Sequence, residues 1–152
     1  MQKLMAIVLV AILSGAFAQG RLFGEVASGN MSLVPGFSLS VQARMGAENV
    51  IGPLALRGGF GLATGGGTQF SIGADVIYFL RSSGNPDFYF GGGLGLVAGG
   101  TTVFSINGNA GLEIPVTRDF NFFVELQPAL LFAGGSSTFV MGVEFGPRLY
   151  FR

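Results

Sequence analysis

Apolar and polar residues alternate with a period of two along most of the chain from residue 37 onward. This alternation is typical of β-strands with one apolar and one polar face, whereas an amphipathic helix repeats about every 3.6 residues. Polar and glycine-rich segments interrupt the alternation and mark turns. The pattern predicts a short first strand and seven longer ones, near residues 21–29, 37–46, 53–63, 69–80, 87–98, 102–115, 121–133 and 137–151.

A glycine-rich segment recurs three times at a spacing of 35 residues, beginning at Ala63, Ala98 and Ala133. The residues on both sides of each segment alternate, so each repeat is predicted to be a β-hairpin with glycine at its tip rather than a helical solenoid unit. The remaining connections are polar turn sequences, around 47–49, 81–86 and 117–119.

The two faces of the predicted strands differ sharply in composition. One face has 40 positions on seven strands and no charged residue among them. The other face is rich in Gly, Ser, Asn and Gln, with fewer charges than a water-exposed surface normally carries. Small residues would leave room for a few long charged side chains inside a narrow barrel. The apolar face would then contact lipid, which a sheet can cross only as a closed barrel. We therefore predict an all-β fold, an eight-stranded antiparallel up-and-down transmembrane β-barrel.

Aromatic residues lie near both ends of the predicted strands, as the interfacial girdles of a membrane barrel require. Phe70, Phe104 and Phe139 follow the glycine tips. The aromatic residues at the opposite end are Tyr78, Phe79, Phe88, Tyr89, Phe120, Phe122, Phe123, Tyr150 and Phe151.

The N-terminal segment has the three regions of a secretory signal peptide: a Lys, an apolar run from Leu4 to Leu13, and small residues around Ala18. Cleavage is expected between Ala18 and Gln19. The apolar run is too short for a membrane-spanning helix, which needs about 20 residues. We expect a signal peptide over residues 1–18 and a barrel domain over residues 19–152.

Composition excludes several kinds of chemistry. The 152 residues include 27 Gly but no Cys and no His, and eight Lys and Arg balance eight Asp and Glu. Without Cys there is no disulfide or thiolate metal site, and without His the commonest general base and metal ligand are missing. We expect no metal, no cofactor and no catalytic residue. A balanced charge also argues against nucleic acid as a partner.

The last predicted strand alternates apolar residues and closes on Leu149, Tyr150 and Phe151, followed by Arg152. With the signal peptide and the alternating strands, this ending resembles bacterial outer-membrane β-barrels of the small eight-stranded kind, similar to the membrane domain of the outer-membrane protein A family. The resemblance implies an outer-membrane location in contact with lipid, periplasmic termini, and recognition of Leu149, Tyr150 and Phe151 by the barrel-assembly machinery. Enzymes of this architecture generally depend on a His, so the resemblance implies no enzymatic activity.

The resemblance also assigns the two ends of the barrel to the two sides of the membrane. The glycine tips become short, uncharged cell-surface loops, and the polar turns face the periplasm. The charged residues of these turns are Glu48, Arg81, Asp87, Arg118 and Asp119. Pro128 and Pro147 lie inside predicted strands, where their missing N–H groups lead us to expect a β-bulge or the end of the hydrogen-bonded pairing.

The charged residues on the small-residue face are the candidate site: Glu25, Arg44, Arg57, Asp75, Glu113, Glu125, Glu144 and Arg148. Unpaired charges in a narrow interior are costly, so these residues are expected to form an ion-pair network. Side chains can fill the interior of an eight-stranded barrel, which favours a structural, membrane-integrity role with the network as a plug. Three alternatives stay open: weak passage of small solutes, an oligomeric pore or transport component, and a soluble lipocalin-like binder with its apolar face inside.

Overall fold

Eight antiparallel strands, each paired with its neighbours in sequence, close into a barrel through pairing of the first strand with the last. The computed structural model describes residues 20–28, 39–64, 67–81 and 86–151. The predicted signal peptide, its cleavage site at Ala18 and Gln19, and Arg152 lie outside these residues. The strands are β1 Leu22–Ser28, β2 Leu39–Ile51, β3 Leu54–Thr64, β4 Thr68–Leu80, β5 Asp87–Gly99, β6 Thr101–Pro115, β7 Phe120–Ala133 and β8 Ser136–Phe151. The described residues contain no helix long and apolar enough to cross a membrane.

The predicted fold class is confirmed, and every strand except β2 begins and ends within one residue of its predicted bounds. The agreement has a local cause. Alternation with period two and the residue types of tight turns are both properties of short stretches of sequence, so they specify strands before any tertiary contact forms.

The second strand is longer than predicted. It continues through Glu48 to Ile51, and the chain turns at Gly52–Pro53, so the predicted turn around residues 47–49 is wrong. The register with β3 shifts just before Ile51, and Asn49 has a φ of 57°. Asn tolerates this left-handed conformation better than most residues, and the chain therefore bends there without ending the strand.

The apolar face points outward and the small-residue face points inward. Phe60, Leu94 and Phe90 are 58%, 54% and 51% exposed, whereas Arg57 and Glu125 on the inward face are at most 1% exposed. The soluble lipocalin-like alternative is wrong, because it required the apolar side chains to line the interior and the charged side chains to face water.

Four aromatic residues assigned to the rim girdle face the interior instead. Phe79, Tyr89, Phe123 and Tyr150 are at most 6% exposed. Each stands beside another aromatic residue in the sequence, and adjacent side chains on a strand point to opposite faces, so only one of each pair can face outward. Phe79, Tyr89 and Tyr150 pack with Phe23 and two aliphatic side chains in the core cluster at the polar-turn end of the barrel.

The third glycine repeat forms a two-residue hairpin turn. Gly134 and Gly135, with φ values of 54° and 85°, connect β7 to β8, and Ala133 pairs with Ser136. Positive φ at both central positions is the requirement of a type I′ turn, whose twist matches that of the flanking strands. Glycine meets this requirement without steric cost, which explains the two glycines at this tip.

Pro128 interrupts the pairing of β6 with β7 without a bulge. The pairs Asn107–Ala129 and Ala110–Leu126 flank the break and have the same register. On its other side Pro128 remains paired with β8. Neither expected outcome, a β-bulge or the end of the hydrogen-bonded pairing, is found here, because the missing N–H removes one hydrogen bond toward a single neighbour and requires no extra residue.

Pro147 has the same effect at the seam between β1 and β8. The pairs Glu25–Arg148 and Ser28–Phe145 flank the break with unchanged register, and Pro147 stays in register with β7. A bulge is again absent between these described residues. Each proline thus weakens one strand pair locally and leaves the alternation of inward and outward side chains intact.

Candidate functional site

The structure joins all eight predicted interior charges into one connected set of ion pairs, which we call the lumen network. Its members come from seven strands, and the residues are Glu25, Arg44, Arg57, Asp75, Glu113, Glu125, Glu144 and Arg148. Every member carries at least one ion pair to another member. The network holds five carboxylates and three guanidiniums, an excess of two negative charges.

Arg57 on β3 is the centre of the lumen network. Its Nη1 lies 2.8 Å from Glu125 Oε2 and 3.2 Å from Glu25 Oε2, and its Nη2 lies 2.8 Å from Asp75 Oδ2. The Nη2 also donates to Glu125 Oε1 at 3.0 Å, which makes this contact bidentate. Since β3 and β7 stand on opposite walls of the closed barrel, the Arg57–Glu125 contact spans its full width.

Arg148 on β8 lies in a cage of aromatic rings and carboxylates. Its guanidinium carbon is 4.9 Å from the centre of the Tyr89 ring and 5.0–5.4 Å from three phenylalanine rings, those of Phe23, Phe79 and Phe123. Its Nη2 lies 2.6 Å from Glu25 Oε1, and its Nη1 pairs with Glu113. Cation–π contacts strengthen when they are shielded from water, so the inward-facing aromatic residues stabilise this buried charge.

Arg44 connects the lumen network to the half of the barrel that ends at the glycine tips. It pairs with Glu144, its Nη1 lies 3.4 Å from Glu125 Oε1, and its Nε donates to Gln42 Oε1 at 3.1 Å. Gln42 Nε2 in turn donates to Glu144 Oε1 at 2.7 Å. A neutral amide thereby satisfies part of the hydrogen-bonding capacity that these buried charges require.

A second charged group lies at the end of the barrel where the polar turns are. Arg81 donates to Asp87 Oδ2 at 2.7 Å and pairs with Glu48, and Tyr150 Oη lies 2.7 Å from both Glu48 Oε1 and Glu113 Oε1. Partial burial acts to lower the pKa of Arg81, but the hydrogen bond with Tyr150 and the charge of Glu48 raise it above its ordinary value.

The interior positions of Glu48 and Asp87 correct their assignment to water-facing turns. Both are at most 8% exposed. A signal in the sequence could have placed them, because Asp87 is in phase with the inward Tyr89, and Glu48 is in phase with the inward Arg44. The assignment failed because Glu48 fell inside the turn predicted around residues 47–49, and Asp87 was grouped with the turn at residues 81–86 that it directly follows.

Glycines on the inward face provide the space that the long side chains occupy. A Cβ on Gly59 would lie 2.6 Å from Arg44 Cγ, and a Cβ on Gly61 would lie 2.6 Å from Gln42 Cγ. A Cβ on Gly111 would lie 2.5 Å from the Tyr89 ring. The sequence-based interpretation of these glycines as room for larger interior side chains agrees with these distances.

Beyond the lumen network, toward the glycine tips, the interior contains a cavity of about 250 Å³. We call it the cup. Small and aliphatic residues and neutral polar side chains form its wall, and Arg44 and Asp75 of the lumen network reach it. Its polar lining includes Gln42, Ser71, Asp75, Ser105, Asn107 and Gln127.

The arrangement combines the paired charges of the lumen network with the cup. Among the described residues no group of three Asp, Glu, His or Cys side chains could hold a metal ion.

The three residues predicted as an assembly signal lie on different faces of β8. Leu149 and Phe151 are 49% and 47% exposed on the outside, and Tyr150 is buried inside.

Comparison with known proteins identifies the fold. Neisserial surface protein A is 16% identical over 86% of this chain and 96% of that chain, with a TM-score of 0.64. The N-terminal β-barrel domain of Pseudomonas aeruginosa OprF is 15% identical over 88% and 98% of the two chains, with a TM-score of 0.67. A barrel from the de novo design of transmembrane β-barrels is 20% identical over 87% and 96%, with a TM-score of 0.58.

No protein-family model and no curated protein has a significant match to the sequence. The structural matches show that the chain has the fold of small eight-stranded outer-membrane barrels. The resemblance inferred from the sequence is confirmed at this level.

Proposed function

We propose that this chain is an integral protein of the bacterial outer membrane with a structural, membrane-integrity role, and that it has no enzymatic activity. The outward face supports the membrane location. Large apolar side chains such as Phe60 and Leu94 are more than half exposed on it. On a soluble protein a continuous apolar surface of this kind would promote aggregation, whereas in a bilayer it is the lipid-contacting face of a barrel.

The contact between Arg57 and Glu125 carries the structural part of the proposal. It joins opposite walls at heavy-atom distances of 2.8 and 3.0 Å, within an interior that the other members of the lumen network also cross. Passage of a solute would require buried ion pairs to separate, and leaving one such charge unpaired costs about 3–5 kcal/mol. The lumen network therefore acts as a plug, and solute passage is at most weak.

The proposal includes the routes by which the chain reaches the membrane. Residues 1–18 direct secretion and are removed between Ala18 and Gln19, and residues 19–152 form the barrel domain. At the other end, the barrel-assembly machinery reads Leu149, Tyr150 and Phe151. The outward exposure of Leu149 and Phe151 at the polar-turn end of β8 is compatible with their recognition before the barrel closes.

Two measurements test this function. After expression in a Gram-negative host, the mature chain is expected in the outer-membrane fraction, with a gel mobility that changes on boiling because the closed barrel resists detergent at room temperature. In planar lipid bilayers the purified protein is expected to show no steady openings. Recovery in the soluble fraction without detergent would refute the membrane location, and steady single-channel currents would favour the pore alternative over the plug.

A further inference from the structure

The cup is a polar space in the part of the interior that the structure describes, and the plug role does not account for it. Its volume of about 250 Å³ corresponds to about eight water molecules at about 30 Å³ each. Its polar wall includes the hydroxyl groups of Ser71 and Ser105 and several side-chain amides, beside glycines and aliphatic side chains. Such a lining can both donate and accept hydrogen bonds, so the cup is suited to a small polar guest.

The charge next to the cup is negative. Arg44 and Arg57 are the guanidiniums at this level, and they are opposed by Asp75, Glu125 and Glu144. The whole lumen network has two more carboxylates than guanidiniums. Charges act strongly on one another away from bulk water, so an added cation would find a more favourable environment in the cup than an anion.

Asp75 is the acid that a guest in the cup can reach. Its side chain is 13% exposed, whereas those of Glu125 and Glu144 are at most 1% exposed. Its Oδ1 accepts a hydrogen bond from Asn107 Nδ2 at 2.8 Å, and its Oδ2 accepts from Arg57 at 2.8 and 3.0 Å. A carboxylate offers about four lone-pair sites, so Asp75 retains capacity for a further donor.

The donor that fits is an ammonium group rather than a metal ion. Divalent cations such as Ca²⁺ take about six to eight oxygen ligands, with several carboxylates among them, and only one carboxylate lines the cup. A primary ammonium group has three N–H donors and no acceptor. One donor can bond to Asp75, and hydroxyl and amide oxygens of the wall, such as those of Ser71 and Gln127, can accept the others.

We propose that the cup binds small organic cations that carry a primary ammonium group, with the ammonium group against the Asp75 carboxylate. This binding goes beyond the structural role and does not depend on it, because the cup lies on the glycine-tip side of the ion pairs that close the lumen. The barrel thus combines a closed lumen with a dead-end polar site that accepts a guest from one end.

Isothermal titration calorimetry of the mature protein, residues 19–152, in a non-ionic detergent tests the proposal. The two probes have carbon chains of equal length. The probes are 1,4-diaminobutane, which carries ammonium groups, and 1,4-butanediol, which is neutral. Saturable binding is expected for the diamine and none for the diol. Equal binding of both probes, or no binding of the diamine by protein that still shows the boiling-dependent gel shift, would overturn the proposal.

Two variants and a control locate the site. Asp75→Asn is expected to weaken diamine binding at least tenfold, and Arg57 keeps Glu25 and Glu125 as partners in that variant. The double variant Ser71→Ala with Ser105→Ala adds no volume and is expected to weaken binding severalfold. Asp119→Asn, at the opposite end in a turn, should bind the diamine as the unmodified protein does. Unchanged affinity in Asp75→Asn, or loss in Asp119→Asn alone, would place the binding elsewhere.

Discussion

Glu25 and Arg148 face each other across the seam where β1 and β8 close the barrel. They are register partners, and Arg148 Nη2 lies 2.6 Å from Glu25 Oε1 although the residues are 123 positions apart in the chain. Among the described residues, five pairs join the two strands, with a break at Pro147. An ion pair at this seam therefore adds a side-chain connection where the backbone ladder is short.

Replacing Arg148 is expected to destabilise the barrel strongly. Arg148→Met leaves the carboxylates of Glu25 and Glu113 without this cation in a buried site, which costs about 3–5 kcal/mol. The free energy of unfolding by urea in phospholipid vesicles measures the effect. Arg118→Met, in an exposed turn, is the matched control and should change stability by less than about 0.5 kcal/mol.

A second substitution at the seam distinguishes loss of the ion pair from loss of packing. In Glu25→Gln with Arg148→Met both charges are removed, and the double variant should be less destabilised than the sum of the two single variants. Strictly additive losses would mean that the two side chains contribute independently, which would contradict the coupling inferred from their geometry.

Arg57→Ala is expected to open the lumen. Of the described side chains, Arg57 alone pairs with Glu25, Asp75 and Glu125 together. Without it, the mutual repulsion of these carboxylates favours entry of water and cations. Planar bilayer recordings should show steady, cation-selective openings in this variant and none in the unmodified protein. The same recordings on Arg118→Ala control for loss of one positive charge, and currents of equal size there would argue against a plug.

Inward and outward glycines should respond oppositely to the same change. A Cβ on the inward Gly93 would overlap the Asp75 carboxylate and the backbone of Ala74, whereas on the outward Gly58 the nearest atom would be 3.7 Å away. We expect Gly93→Ala to cost about 1–3 kcal/mol through overpacking and Gly58→Ala to be neutral or stabilising by up to about 1 kcal/mol. Urea unfolding of both variants is the measurement, and similar losses in the two would contradict the assignment of faces.

Introducing a charged side chain in the middle of the outward face tests whether that face contacts lipid. Leu94 is 54% exposed there. In a membrane barrel Leu94→Arg should cost about 2–4 kcal/mol, whereas Thr101→Arg, at a glycine tip, should cost at most about 1 kcal/mol. In a water-soluble protein an exposed Arg at position 94 would be harmless. Equal stability of the two variants in vesicles would therefore count against membrane insertion.

The sequence by itself determined the two faces and, apart from the end of β2 at Ile51, the strands and turns. The bounds of β4 at Thr68–Leu80 and of β8 at Ser136–Phe151 follow from alternation and flanking turn residues, which are local. Alternation also assigned Arg57 and Glu144 to the inward face, because side chains two positions apart share a side of the strand. The Gly and Ser residues at other positions of the inward face indicated that this face has space for long side chains.

Only the tertiary structure decided which charges meet and what surrounds them. Arg57 contacts Glu125 because closure brings β3 and β7 to opposite walls, and the offset between strands sets the height of each side chain; neither quantity is encoded in a short stretch of chain. The contact of the Tyr89 ring with Arg148 and the ion pair of Glu48 with Arg81 depend on the same closure of the barrel. Alternation along a strand determines whether a side chain points inward or outward, and the geometry of the closed barrel determines which partner that side chain contacts.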